Sequence, residues 1–214
     1  MPPQPPKKKS RAGCIVSIIL AVLFTPVLVV GGVIFYYLYG EYSEPVGDPP
    51  SNAALPAACD LVSAPTLQRL RTTNPDSTSY EDPETGGYNC NWEQTLGKDG
   101  NNPRSLSVGI NTKPQPDEDS LDEARMDYEY AKESAASGST PARVTDVEGF
   151  GDQAFVAVTT EDWSGAELVF RKGYTVVTIS YHGSDKGLFD SSPIPEAESE
   201  AAVKAVAEEV APRV

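Results

Sequence analysis

Asp117, Glu118, Asp119, Asp122 and Glu123 crowd into the stretch 117–123. Carboxylates grouped like this offer the hard oxygen ligands that Ca²⁺ takes in sets of about six to eight. Asp117, Asp119 and Asp122 are the candidate metal ligands. The EF-hand pattern is missing, and acids at a helix start are already explained by the helix dipole. The favoured reading is a solvated capping cluster, with a cation site as the alternative. Glu81, Asp82 and Glu84 are read the same way.

Gly149-Phe150-Gly151-Asp152 is the sharpest local feature. Gly149, Gly151 and Asp152 could let a ligand approach the backbone. The favoured reading is structural: the glycines permit a turn into the strand at 153, with Asp152 bonding nearby amides. The surrounding residues lack G-x-G-x-x-G, so there is no dinucleotide fingerprint.

His182 is the only histidine. As a hydrolase base it would need an activated nucleophile and an orienting acid. Ser180 shares its strand face without the geometry of proton transfer, and a G-x-S-x-G elbow is absent. His182 is expected at a solvent-facing strand end. Trp163, in the polar turn Thr160-Glu161-Asp162-Trp163-Ser164-Gly165, is the best single candidate for an interaction anchor. The favoured reading of Trp163 itself is still that it folds back over the sheet edge. No cofactor motif is present, and no catalysis is expected.

These residues need elements to hold them. Ser63 and Pro65 open a short helix carrying Leu67 and Leu70 on one face. A polar loop, 72–87, follows. Tyr88, Cys90 and Trp92 alternate with Asn89, Asn91 and Glu93, the period of a strand. Leu106, Val108 and Ile110 repeat that period after the turn 97–103, making an antiparallel hairpin. Ser120 and Glu123 read as a capping box for a helix over 121–135. Its stripe is Leu121, Ala124, Tyr128, Ala131 and Ala135, and it is the expected main partner of the sheet. Strands are expected at 153–160, 166–171 and 174–181, the last two joined at Lys172-Gly173. Pro195 opens a final helix, 196–210, with Ala202, Val203, Val206 and Val210 facing in. Hairpins with helices covering one face define an α+β fold, here an antiparallel sheet of about five strands.

Cys59 and Cys90 are the cysteines of this region, and an even count outside the cytoplasm makes a disulfide the default. Closing a loop of about 31 residues would contribute roughly 3–4 kcal/mol on the chain-entropy model. Trp92 is expected to pack on it. No C-x-x-C pair or zinc spacing occurs.

Residues 15–39 carry no charge. As a helix the run spans roughly 37 Å, enough to cross a hydrocarbon core of about 30 Å with some tilt. Pro26 is tolerated there, and Tyr36, Tyr37 and Tyr39 suit the interface. The flank Lys7, Lys8, Lys9 and Arg11 places the N-terminus in the cytoplasm and the rest outside. The run is too long for a signal-peptide core and ends without a cleavage-site pattern. The chain thus divides into a cytoplasmic tail 1–14, a transmembrane helix 15–39, an extracytoplasmic linker 40–54 and a domain 55–214.

The formal net charge is −14. Setting aside the inner basic flank leaves about −18 for the outer part, a field that excludes nucleic acid as a partner and favours cationic ones.

Cys59-Asp60-Leu61, Cys90-Asn91-Trp92, Val147-Glu148-Gly149-Phe150-Gly151-Asp152-Gln153-Ala154 and Val169-Phe170-Arg171-Lys172-Gly173 form an ordered set. The set resembles an actinobacterial envelope domain of unknown function, found mostly in lipoproteins, over about 59–210. The resemblance implies a small α+β domain tied by one disulfide, and no known reaction. This chain departs from the commoner lipid-anchored form by its transmembrane helix.

The expected protein is a single-pass membrane-anchored envelope protein with a non-catalytic binding or accessory domain outside the cell. Its partners are membrane lipid, through the anchor, and an envelope protein or small ligand. The alternatives are an extracytoplasmic hydrolase or the ligand-sensing subunit of a membrane complex.

Overall fold

The computed structural model describes residues 12–82, 84–113, 116–137, 142–159, 164–187 and 190–214. The chain divides into two units, Met1–Ser43 and Glu44–Val214.

The first unit is built on helix α1, Ala12–Ser43, with Pro26 inside it. Its segment Val22–Gly40 has a mean hydropathy of 2.0. Among the described residues this is the one helix long and apolar enough to cross a membrane. Its residues from Val22 to Tyr37, among them Leu23, Phe24, Val27, Leu28 and Phe35, are exposed. The aromatic residues gather toward its end, with Phe35 stacked on Tyr39 at 5.8 Å. Lys7, Lys8, Lys9 and Arg11 lie outside the described residues.

The second unit is organised by one antiparallel sheet. Its strands are β1 (Asn74–Pro75), β2 (Tyr80–Asp82), β3 (Gly87–Glu93), β4 (Arg104–Thr112), β5 (Arg143–Asp146), β6 (Gln153–Thr159), β7 (Ser164–Lys172), β8 (Thr175–Lys186) and β9 (Ser191–Pro193). The order across the sheet is β1-β3-β4-β8-β7-β6-β5, with β2 also on β3 and β9 on β8. The expected α+β class holds, but the sheet has nine strands rather than about five. The strands the sequence pattern misses are short: β1 and β2 inside the polar stretch 72–87, then β5 and β9. None is long enough to show an alternating pattern, and each forms by pairing with a longer neighbour.

The sheet is covered on both faces, not one. Alternate residues of the central strands divide between two cores. Val156, Leu168, Phe170, Val177, Ile179 and Tyr181 face the larger one, where α4 (Glu196–Val210) supplies Ala202, Val203, Val206, Ala207 and Val210. That spacing puts one stripe of α4 on the sheet, and each fully buried Val or Leu is worth about 1.5–3 kcal/mol. The opposite face carries Phe155, Ala157, Val169 and Val176 under Ala124 and Tyr128 of α3 (Ser120–Ser137). The main helical partner is therefore α4 rather than α3. The α4 stripe is aliphatic along its length, whereas the α3 stripe thins to alanines. Leu121, expected on the inner stripe, is 49% exposed.

Cys59 and Cys90 form a disulfide with Cα atoms 5.5 Å apart. It joins the 3₁₀ turn Ala57–Leu61 to β3, and Trp92 is buried in the same core. Helix α2 (Ala64–Leu70) is fastened to α4 at its start. The Glu209 carboxylate accepts from the Ser63 amide at 2.7 Å, the Ser63 hydroxyl at 2.9 Å and the Thr66 hydroxyl at 2.6 Å. Residues 44–51, within the stretch read as a linker, hydrogen-bond to the domain. The Asp48 amide donates to Gln94 O, Leu96 N to Asp48 O, and the Asn74 side chain bridges Ser51 N and Pro49 O.

Candidate binding groove

Helix α3 packs on β5, β6, β7 and β8. On that same face, the polar side chains of β3 and β4, Asn89, Asn91, Ser105 and Ser107, remain half-buried. Between the flank of α3 and these strands lies a groove of about 450 Å³. Asp127, Tyr130 and Ala131 form its helix wall, and Asn89, Gly109, Asn111, Val176 and Thr178 its floor. Tyr80 and Thr85 close one end. The size is that of a small-ligand site.

Local sequence dictates this shape. Asp127 and Tyr130 are three apart on a helix and so are neighbours on its surface. Tyr128 between them points the other way, edge-on to Phe155 at a ring separation of 5.5 Å. Tyr80 pairs with Asn89, which pairs with Gly109, which pairs with Thr178. Residues directly opposite in a ladder share a face, so a row crosses four strands and ends in an aromatic ring. Gly109 contributes no side chain to the row and leaves the floor low.

The groove's polar groups are largely uncommitted. Asp127 makes no hydrogen bond or ion pair among the described residues; its neighbour Lys113 is paired instead with Glu123 at 2.6 Å. The side chains of Asn111 and Thr178 and the hydroxyls of Tyr80 and Tyr130 likewise have no partner there. Tyr130 is 75% exposed and Tyr80 55% exposed.

Of the acids read as candidate metal ligands, Asp117 and Asp122 are engaged by near neighbours, while the Asp119 side chain has no partner among the described residues. The Asp117 carboxylate accepts from the Ser120 amide at 3.0 Å and the Ser120 hydroxyl at 2.6 Å. The serine hydroxyl's bond holds the Asp117 carboxyl below its ordinary range. The capping pair is thus Asp117–Ser120, not Ser120–Glu123, because Glu123 turns to Lys113. Asp122 pairs with Arg125 at 3.0 Å. Among the described residues, no group of three or more His, Cys, Asp or Glu side chains is placed to hold a metal ion.

The 149–152 turn is tied into the sheet. Gly151 has φ +69°, and a Cβ there would stand 2.4 Å from Arg171 O. Asp152 accepts from Gly173 N at 2.8 Å and faces Arg171 Nη1 at 3.1 Å. Gly149 and Gly151 also border a shallow hollow with Phe150, Lys172 and Pro212. Trp163 lies outside the described residues.

His182 lies on β8 opposite Ser105 and Gly165, and is only partly exposed. Burial lowers its pKa, and Nδ1 is buried without a partner. Two residues away, Ser180 donates to Glu167 at 3.2 Å. Burial raises the Glu167 carboxyl above the usual range. No hydrogen bond joins His182 to Ser180, Ser105 or Glu167 among the described residues, so they form no proton relay.

A second, smaller hollow of about 190 Å³ holds Asp48, Asp76 and Glu93. Glu93 is pushed up to about 7, first by burial and then by Asp76 and Asp48.

The sequence reading missed Tyr80, Gly109, Asp127 and Tyr130. For Asp127 and Tyr130 a signal existed: both fall on the flank of the α3 stripe, where a tyrosine has no packing duty. Tyr80 sits in a strand too short to recognise. Comparisons with family models, with curated proteins and with solved structures return no match to this chain.

Proposed function

We propose that this chain is a single-pass, membrane-anchored envelope protein whose outer domain is a non-catalytic binding module, with the α3 groove as its binding site. The observation that carries this reading is the groove itself. It brings two exposed tyrosines, a carboxylate and an amide together whose side chains have no hydrogen-bond partners among the described residues. Polar groups left uncommitted in a concave site are positioned for an external partner. The length and composition of α1 support an anchor. The basic flank Lys7, Lys8, Lys9 and Arg11 supports an N-terminus in the cytoplasm. The ordered Cys-Asp-Leu, Cys-x-Trp and Gly-x-Gly-Asp motifs support kinship with the actinobacterial envelope domain they resemble. The absence of a relay around His182 weighs against the hydrolase alternative.

The test is in-cell crosslinking of the full chain followed by mass spectrometry, beside the groove-filling variant Gly109→Leu and the variant Trp163→Ala. A reproducible bound species lost in Gly109→Leu supports the reading. A species lost only in Trp163→Ala moves the binding site to the neighbourhood of Trp163.

A further inference from the structure

We propose that the α3 groove takes an organic cation, an ammonium or guanidinium head. This rests on the reading of the groove as the binding site and names its ligand class.

Among the described residues, Asp127 is the one charged side chain in the lining. It has no ion-pair partner among the described residues, since Lys113 is held by Glu123. An anion entering the groove would meet a carboxylate and no balancing cation. A cation would meet an unpaired carboxylate.

The aromatic residues point the same way. Tyr80 and Tyr130, at 55% and 75% exposure, keep ring surface open to solvent at the groove. The faces of such rings are negative, and a cation within about 6 Å of a ring centre is attracted to them. Asn111 and Thr178 add a carbonyl and a hydroxyl oxygen that accept from the N–H groups of a guanidinium or primary ammonium, whereas a quaternary head engages only the rings and the carboxylate. The surrounding field has the right sign, because the chain's net charge is −14 and the basic flank at its N-terminus is not part of this unit.

The shared chemistry has two sources, a free quaternary ammonium and a basic side chain of a peptide. The experiment separates them. The full chain in lipid nanodiscs is labelled with 3-fluorotyrosine, and the Tyr130 fluorine resonance is assigned by its loss in Tyr130→Phe. It is titrated with choline chloride, with a capped arginine-containing tetrapeptide, with the neutral isostere 3,3-dimethylbutanol and with a neutral chitotriose.

The expected result is saturable movement of the Tyr130 resonance by a cation, with a dissociation constant of about millimolar order. Asp127→Asn, followed in the same way, should weaken it about two- to fivefold and flatten its salt dependence. Tyr80→Ala should weaken it by a similar factor, and Gly109→Leu should abolish it. Tighter binding by choline or by the tetrapeptide identifies the source. Equal response to 3,3-dimethylbutanol, or an unchanged affinity in Asp127→Asn, overturns the proposal. So does the absence of any cation response. A Gly109→Leu-sensitive response to chitotriose alone would overturn the cation assignment while leaving the groove as a binding site. No response to any of the four probes, together with crosslinks unaffected by Gly109→Leu, would remove both readings.

Discussion

Gly109 of β4 lies directly opposite Thr178 of β8, and a Cβ built on Gly109 would come no nearer than 3.9 Å to any atom there. That space is the groove floor. Gly109 is not held by a strained backbone angle, so a side chain at this position enters the groove rather than the core. Gly109→Leu is therefore expected to fold normally, with stability within about 1 kcal/mol of the parent, since a surface strand position tolerates change. Thermal unfolding checks the fold, and loss of groove binding checks the placement.

Gly165 presents the opposite case. A Cβ there would stand 2.1 Å from Tyr181 O and 2.5 Å from His182 Nδ1. The imidazole packs over a glycine that leaves it room. Gly165→Ala should destabilise the domain by about 2–3 kcal/mol through overpacking, measured by urea unfolding. If His182 were instead a catalytic base, His182→Gln would abolish an activity; no such loss is expected, because among the described residues no acid or nucleophile engages its ring.

Glu93 sets a pH dependence. Its folded-state pKa of about 7 lies above the ordinary 4.5, through burial and then the charges of Asp76 and Asp48. A carboxyl raised in this way favours the fold while protonated. Its contribution is complete below pH 4.5, falls as pH rises from 4.5 toward about 7, and is level above that. Glu93→Gln should remove this fall and stabilise the domain near neutral pH by about 1–2 kcal/mol, solvent screening of a half-buried site included. Parallel unfolding curves at acid and neutral pH give the difference. A variant no more stable than the parent at pH 8 would contradict the assignment.

Arg104 is wholly buried and joins three elements. Its Nη1 donates to Ser184 O at 2.6 Å and Pro103 O at 2.9 Å, and its Nη2 reaches Asp185 and Glu198. Removing one partner of a buried charge network leaves the rest unsatisfied. Arg104→Ala should cost about 3–5 kcal/mol, and Arg104→Lys nearly as much, because an ammonium cannot span the same acceptors. Chemical denaturation of both variants checks this. Reducing Cys59–Cys90 should cost a further 2–5 kcal/mol or so in a separate experiment.

The long elements were legible because their side chains repeat with a clear period. Leu106, Val108 and Ile110 marked β4, and Ala202, Val203, Val206 and Val210 marked α4. The short strands β1, β2, β5 and β9 carry no period of their own; they exist because a longer strand offers them hydrogen bonds. The Glu209 link to Ser63 and Thr66 spans most of the domain in sequence and leaves no local signature. The groove was hidden for the same reason. Tyr80, Asn89, Gly109 and Thr178 are scattered along the chain, and only strand register brings them into one row, beside which α3 sets Asp127. The acids at 117–123 drew attention as ligands, yet their local bonds to Ser120, Lys113 and Arg125 account for most of them.

Replacing Tyr130 with a photo-crosslinking residue in the full chain tests the central claim most directly, with Met126 replaced in parallel as an exposed position on the same helix outside the groove. Irradiation of living cells should yield a defined adduct from position 130 that disappears when Gly109→Leu is added, and none from position 126. An adduct of equal yield from position 126, or one from position 130 that survives Gly109→Leu, would contradict the assignment of the α3 groove as the binding site.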